Sequence, residues 1–316
     1  MSAVTMGRVS VDNEVIAGQF DEISRKLASL NVSDAMDSLH SSLRLLRGRL
    51  APVEWKAFCH SQCHVHPIKE ALHQDPFTRR SFMKPRGYSG DAVLIDYLYG
   101  NATPGPAVSD LGADICRYMC RQPSAYSVQD RRDLLAAMVD ETAAAAPHPR
   151  ILSIACGHLR EAKHSRAVSE GRVAEYVAVD QDPESLARVT EELPYRWIKP
   201  AACSVRSILS GKVIFSDFDF VYAAGLYDYL TQAVATRLTR VMFGMLRSGG
   251  RMLVANFAQS QPECGYMEAF MDWWLIRRDE PEMSALGEEI PAVEVSSRRL
   301  FRDVQENVVY LEITKC

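Results

Sequence analysis

The chain of 316 residues lacks an excess of charge of either sign: 36 Lys and Arg stand against 40 Asp and Glu, spread evenly along it. Such a balance leaves no basic footprint for a polyanion, so nucleic acid is not an expected partner. The chain also lacks any apolar run of the roughly 18 to 20 residues that cross a bilayer. Its start, "MSAVTMGRVSVDNEV", has neither the basic nor the apolar segment of a secretory signal. A cytoplasmic protein without a membrane span is expected. Cysteine is too sparse for a disulfide framework: the eight thiols include several inside apolar patterns, such as Cys156, and read as reduced and buried. A further absence is the G-x-G-x-x-G loop of dinucleotide sites. What is present is a 47% hydrophobic composition, ordinary for a globular core.

The period of the apolar residues changes once. From Asp12 to about Ala146 they recur at helical spacing, as in "VIAGQFDEISRKLASL" and "AMDSLHSSLRLLRGRL". The last helix of this half is expected to start at Ser127 as an N-cap and to end at "PHPR", a domain joint. Beyond it, "ILSIAC", "YVAVD", "FDFVYAA" and "RMLVANF" are short apolar runs separated by helix-length segments, the alternation of a parallel sheet. "QAVATRLTRVMFGMLRSGG" reads as an amphipathic helix closed by its glycines. The terminal "VEVSSRRLFRDVQENVVYLEITKC" gives two strand-like runs around "QEN", too short a link for a crossover, and these should pair antiparallel.

A mostly parallel α/β sheet with an antiparallel last strand resembles the Rossmann-like fold of class I S-adenosylmethionine-dependent methyltransferases. Two domains follow: a large helical domain, residues 1–146, expected to act as lid and acceptor-binding part, and residues 147–316, expected to bind the methyl donor. In open parallel sheets ligands bind beyond the carboxyl ends of the strands, which singles out "RILSIACGHLREA". Against the acid-strand-G-x-G-x-G pattern, Ser153 stands at the acidic position, Ala155 at the first glycine and Leu159 at the third; only Gly157 matches. Ala replaces a glycine whose role is close approach rather than positive φ, and the bulk of Leu159 reads as excluding a pyrophosphate. S-adenosylmethionine has none.

Asp180, at the end of "YVAVD", is the candidate for the ribose hydroxyls, because Asp182 before Pro183 is the better helix cap. Cys156 and Gln181 complete the loop ends around it. Val205 is expected to pack on the adenine, after a short strand, with Ser204 or Arg206 at its polar edge. Ala223 ends the strand that leads into "AAGLYDYL", beside the transferable methyl. There Asp228 is the candidate base or orienting group, with Tyr88 and Tyr229 as neighbours in the catalytic set. Its alternative role as a helix cap is left to Thr231. Tyr227, Asp228, Trp273, Trp274 and Arg277 are the candidate acceptor-binding residues. The paired tryptophans are expected on a helix, one in the core and the other facing the site.

The combination "DPFTRRSFMKPRGYSGDAVLIDYLYG", "LSIACGHLREA", "VYAAGLYDYL", "YMEAFMDWWLIRRDEPEM" and "NVVYLEITK" is similar to one bacterial family of these methyltransferases. That family includes the enzyme that methyl-esterifies 3-hydroxypalmitic acid and relatives in specialised-metabolite clusters. The resemblance implies transfer to an O or N atom of a small metabolite, a hydroxy-acid carboxyl or an amino-acid-like acceptor. It also implies that "KPRGYSGD" covers the donor. Gly87 and Gly90 would allow its turns, Arg86 would pair with the donor carboxylate, and Tyr88 would close on the sulfonium. Two other functions stay open on the sequence: a non-catalytic donor-binding regulator, and a nicotinamide-dependent oxidoreductase. "CHSQCHVH", Cys59 to His66, has the composition of a metal site. However, Trp55, Phe58, Cys59 and Cys63 share one apolar stripe, so core thiols are expected and no metal is assigned; His66 is left as a residue that could reach the active site. Oligomeric state, a homodimer included, is left open.

Overall fold

The computed structural model describes residues 13–316. The first twelve residues, which carry most of the stretch read for a signal and the expected helix start at Asp12, lie outside the described residues. Among the described residues no helix is long and apolar enough to cross a membrane.

The chain packs as two units: one holds the described residues up to Ala125 together with Pro262–Trp274, the other Tyr126–Gln261 and Leu275–Cys316. The division differs from the sequence boundary at 146/147. The long helix Pro123–Ala145 starts before Ser127, with Pro123 in its first turn, and belongs almost wholly to the sheet unit. Its polar side chains and carbonyls explain why. Arg131 Nη1 donates to the Ala224 carbonyl (2.7 Å), Met138 O accepts from Arg251 Nη2 (2.7 Å), and Asp140 accepts from Ser165 Oγ (2.5 Å) and Ala167 N (2.8 Å).

The sheet unit contains seven strands: β1 Arg150–Ile154, β2 Glu175–Asp180, β3 Ile198–Ala202, β4 Phe218–Ala223, β5 Leu246–Phe257, β6 Val295–Arg302 and β7 Val308–Lys315. Their order is β3-β2-β1-β4-β5-β7-β6. β1 to β5 run parallel, while β7 lies antiparallel between β5 and β6. This is the architecture read from the runs and the terminal hairpin. Strand order reverses between β1 and β4, which puts a crevice at their carboxyl ends. Leu152, Ile154, Val177, Val179, Val221 and Val254 are buried in the core around it. One detail differs from the sequence reading: the helix Gln232–Gly244 ends early, and Gly249 and Gly250 lie inside β5. Gly249 has φ 75°, and a Cβ on Gly250 would stand 2.7 Å from the Phe218 carbonyl, so the glycines serve the irregular register against β4 rather than a helix cap.

In the helical unit the most specific motif organises itself through its acids. Asp75 N-caps the helix Pro76–Met83 by accepting from Phe77 N and Thr78 N. Asp91 caps Ala92–Leu98 and takes a two-pronged ion pair from Arg80, Nε to Oδ1 at 2.8 Å and Nη2 to Oδ2 at 2.8 Å.

Candidate functional site

The loop after β1 keeps the backbone of a glycine loop without its glycines. Ala155, Gly157 and Leu159 have φ values of 56°, 54° and 50°, all left-handed. This corrects the assumption that Ala155 stands where positive φ is not needed. Each non-glycine residue there costs about 1–2 kcal/mol, so the fold imposes the loop. The Leu159 reading is corrected as well. Its side chain is 0% exposed and part of the core, so it does not obstruct the crevice and says nothing about a pyrophosphate.

What fixes the loop is Asp180. Its Oδ2 accepts from Gly157 N (2.8 Å) and its Oδ1 from Asp182 N (2.9 Å), while Asp182 caps the next helix through Glu184 N and Ser185 Oγ. Burial raises the Asp180 pKa, opposed by these backbone donors. The Gln181 amide is a further backbone donor to this carboxylate, whose roughly four acceptor sites are not all taken by the three amides. Cys156 is buried and Gln181 exposed beside it.

Sequence reasoning missed the group beneath the loop. Glu161, two residues after Leu159, accepts from the Tyr222 hydroxyl, which pairs with the Tyr176 hydroxyl at 2.5 Å. All three side chains are buried, and burial raises the Glu161 pKa. The network joins the helix after the loop to β4 and β2. Its only trace in the sequence is a tyrosine among the apolar residues of each strand.

Val205 and Arg206 are not where a strand would put them. β3 ends at Ala202, and Val205 opens a helix, Val205–Leu209, capped by the Ser204 hydroxyl, which accepts from Ser207 N. Val205 is half-buried against the core and Arg206 exposed.

The segment after β4 differs most from expectation. Ala223 is buried at the strand end, and a 3-10 turn, Tyr227–Tyr229, follows. Tyr227 faces the core, its hydroxyl on Thr239 Oγ1 (2.9 Å), and so does not line a pocket. Asp228 is 3% exposed, and its Oδ1 accepts from Phe257 N (2.7 Å), turning the carboxylate toward β5. Burial pushes its pKa up to about 6 against the pull of Arg131, Arg277 and Arg278. Thr231 occupies the N-cap position of the following helix without a side-chain cap bond. Tyr229, 38% exposed, is the open aromatic of the turn. Arg277 is half-buried, with Nε on Gln261 Oε1 (3.0 Å).

In the helical unit, "KPRGYSGD" and "MDWW" come together. Lys84 pairs with Asp272, Ser89 Oγ donates to the Asp272 carbonyl (3.0 Å), and Ser81 Oγ to that of Met271 (3.0 Å). Arg86 and Tyr88 are half-buried in this loop; Gly87 has φ 87°, whereas Gly90 has no positive φ. The tryptophans are not helical, since the helix Cys264–Phe270 ends before them. Trp273 is buried. Trp274, its Nε1 on Asp272 Oδ1 (2.7 Å), walls an open groove of about 540 Å³ with Pro52, Val53, Lys56, Ala57 and His60. Cys59 and Cys63 are buried in a π-helical turn behind Trp55 and Phe58. Among the described residues no three His, Cys, Asp or Glu side chains gather as a metal site. His66 Nδ1 accepts from Ile68 N (3.2 Å), a local turn.

No protein-family model matches the chain, and no curated protein matches it. Solved structures do. One from Bordetella parapertussis, described as a possible exported protein, shares 14% identity, with a TM-score of 0.61, over 98% of this chain and 99% of its own. Magnesium protoporphyrin IX methyltransferase from Synechocystis PCC 6803, with bound S-adenosylhomocysteine, shares 11% identity, with a TM-score of 0.51, over 77% of this chain and all of its own. At these identities the likeness is one of fold, and the fold is the Rossmann-like sheet of class I methyltransferases.

Proposed function

We propose that this protein transfers the methyl group of S-adenosylmethionine to an oxygen of a small carboxylic acid, as a cytoplasmic enzyme of signal or specialised-metabolite biosynthesis. The observation that carries the reading is the junction of Asp180 with Gly157 at the switch point of a sheet whose β7 is antiparallel. The residues fit the donor chemically. A carboxylate fixed by backbone amides at the switch point and with acceptor capacity left suits a ribose hydroxyl, and the guanidinium of Arg131, bound to a strand-end carbonyl, lies at the same end of the sheet. The Synechocystis fold relative, crystallised with S-adenosylhomocysteine, supports the same ligand. When bound, the donor supplies a methyl carbon activated by its sulfonium, and this chain contributes alignment, exclusion of water and charge.

The acceptor follows from Asp228. A hydroxyl or ammonium acceptor requires a base, but the candidate is closed from solvent and committed to Phe257 N. A carboxylate acceptor requires none, and Arg131 and Arg277, which act electrostatically on Asp228, provide the cationic surroundings such an anion favours. Amino-acid nitrogens are the weaker option on this ground. We assign the acceptor-selecting role to the helical unit, the described residues up to Ala125 with Pro262–Trp274, and within it to Trp273 and Trp274. We propose further that the chain belongs to the family that includes the enzyme forming the methyl ester of 3-hydroxypalmitic acid. Calorimetry tests the donor: S-adenosylhomocysteine should bind and NADH should not. Tritium from methyl-labelled donor should then pass into base-labile esters of a small-molecule extract. Binding of NADH alone would overturn the reading, and label in base-stable products would move the acceptor from a carboxylate to a hydroxyl or a nitrogen.

A further inference from the structure

The turn after β4 is held from a distance. Arg278 is the largest fully buried side chain of the described chain, 1% exposed, and its fork spans both ends of the turn. Nη1 donates to the Tyr227 carbonyl (2.8 Å) and Nη2 to that of Leu230 (2.5 Å). Nη1 also meets Asn256 Oδ1, and Nε donates to Gln232 Oε1 (2.8 Å). Around it the backbone is stitched twice more, Ile276 N to the Asp228 carbonyl (2.7 Å) and Arg278 N to that of Phe257 (3.0 Å). Asp228 closes the arrangement by accepting from Phe257 N. Thus the segment through which the chain re-enters the sheet unit, 275–278, sets the shape of a turn some fifty residues earlier.

We propose that Arg278 is a positioning residue for methyl transfer, fixing the turn Tyr227–Tyr229 so that Tyr229 and the Ala223 strand end face the acceptor in one geometry. This rests on the reading above that the turn borders the acceptor. The planar guanidinium is required because two carbonyls three residues apart must be met by one rigid donor set; an ammonium presents a single point of charge on a flexible stem. The cation stays buried because its donors meet four acceptors, the Tyr227 and Leu230 carbonyls, Asn256 Oδ1 and Gln232 Oε1.

The test compares wild type with Arg278→Lys and, because disturbing a buried cation can unfold the unit, with Gln232→Leu, which removes the exposed partner of Nε together with that amide's bond to the Glu282 carbonyl (2.9 Å). Three quantities are read: S-adenosylhomocysteine affinity, transfer of label from methyl-tritiated donor to the extract, and hydrogen exchange of residues 224–230. Arg278→Lys should keep the affinity within about twofold and the donor KM unchanged while kcat falls about tenfold or more. Exchange in 224–230 should quicken about tenfold with the β1 amides unaffected. Gln232→Leu should move both in the same direction by about threefold. Wild-type kcat and exchange in Arg278→Lys, or affinity falling in step with kcat, would overturn the proposal. If wild type fails to bind S-adenosylhomocysteine, the functional reading fails, and unchanged exchange in both variants would still refute the positioning role.

Discussion

Leu159→Gly separates two opposed accounts of the loop after β1. As a blocked glycine position, it should welcome the change. As the structure has it, three contributions compete. Removing the Cβ at φ 50° relieves about 1–2 kcal/mol, since glycine holds the left-handed conformation without the steric cost. The added backbone freedom of glycine costs about 0.5–1 kcal/mol. The side chain itself is 0% exposed, and truncating a buried leucine costs about 2.7–5 kcal/mol. Middle values leave a net loss of about 3 kcal/mol, so packing outweighs strain. Urea unfolding followed by far-ultraviolet circular dichroism should show the midpoint lowered by about 1 M, for a slope near 3 kcal/mol/M. A variant as stable as wild type, or more stable, would mean that the leucine does not anchor the loop, and the backbone argument would fail with it.

Ala155→Gly shares the strain relief and loses only one methyl; it should fall within about 1 kcal/mol of wild type in the same titration. Asp180→Asn presents an NH2 where Gly157 N or Asp182 N needs an acceptor, at a cost of about 2 kcal/mol. Calorimetry should therefore show S-adenosylhomocysteine bound about thirtyfold more weakly. Asp228→Asn tests both chemistry and linkage. With its folded pKa raised from 3.8 to about 6, the stability Asp228 gives is full below pH 3.8 and is lost as the pH rises through 6. The neutral amide should therefore gain on wild type between pH 4 and pH 7, by about 3 kcal/mol at most. It should also keep most of kcat, because its oxygen still accepts from Phe257 N. A hundredfold fall in kcat with donor affinity intact would restore Asp228 as the base.

The sheet was legible because each buried strand is a short apolar run and the terminal hairpin has a link too short for a crossover. Helix ends were less legible. Ser127 has the hydroxyl of a cap, yet it lies inside a helix that starts at Pro123, whose fixed φ suits a first turn. Gly249 and Gly250 read as a helix stop, since the sequence alone does not tell a C-cap from a bulge when both want glycine after a leucine-rich helix. The unit boundary was hidden for another reason: Arg131, Asp140 and the carbonyl of Met138 attach their helix to the sheet unit through partners that lie 25 to 113 positions away.

At the site, local signals were sound where the interaction is local. Asp182 before Pro183 is a cap, and its neighbour Asp180 is then available to the loop. Reading failed wherever a side chain's direction decides its role. Tyr227, Asp228 and Tyr229 are consecutive and chemically similar as candidates, yet the first enters the core, the second turns to β5 and the third faces solvent. That assignment is made by Arg278 and Phe257. In the sequence the buried arginine is adjacent to Arg277, within "LIRRDEP", and an apolar period cannot single it out because the segment is neither helix nor strand. The residue type carries the remaining clue: a guanidinium excluded from water must find several acceptors. Unpaired strand-end and turn carbonyls are plentiful at the carboxyl edge of a parallel sheet, so that edge is where such an arginine can be accommodated.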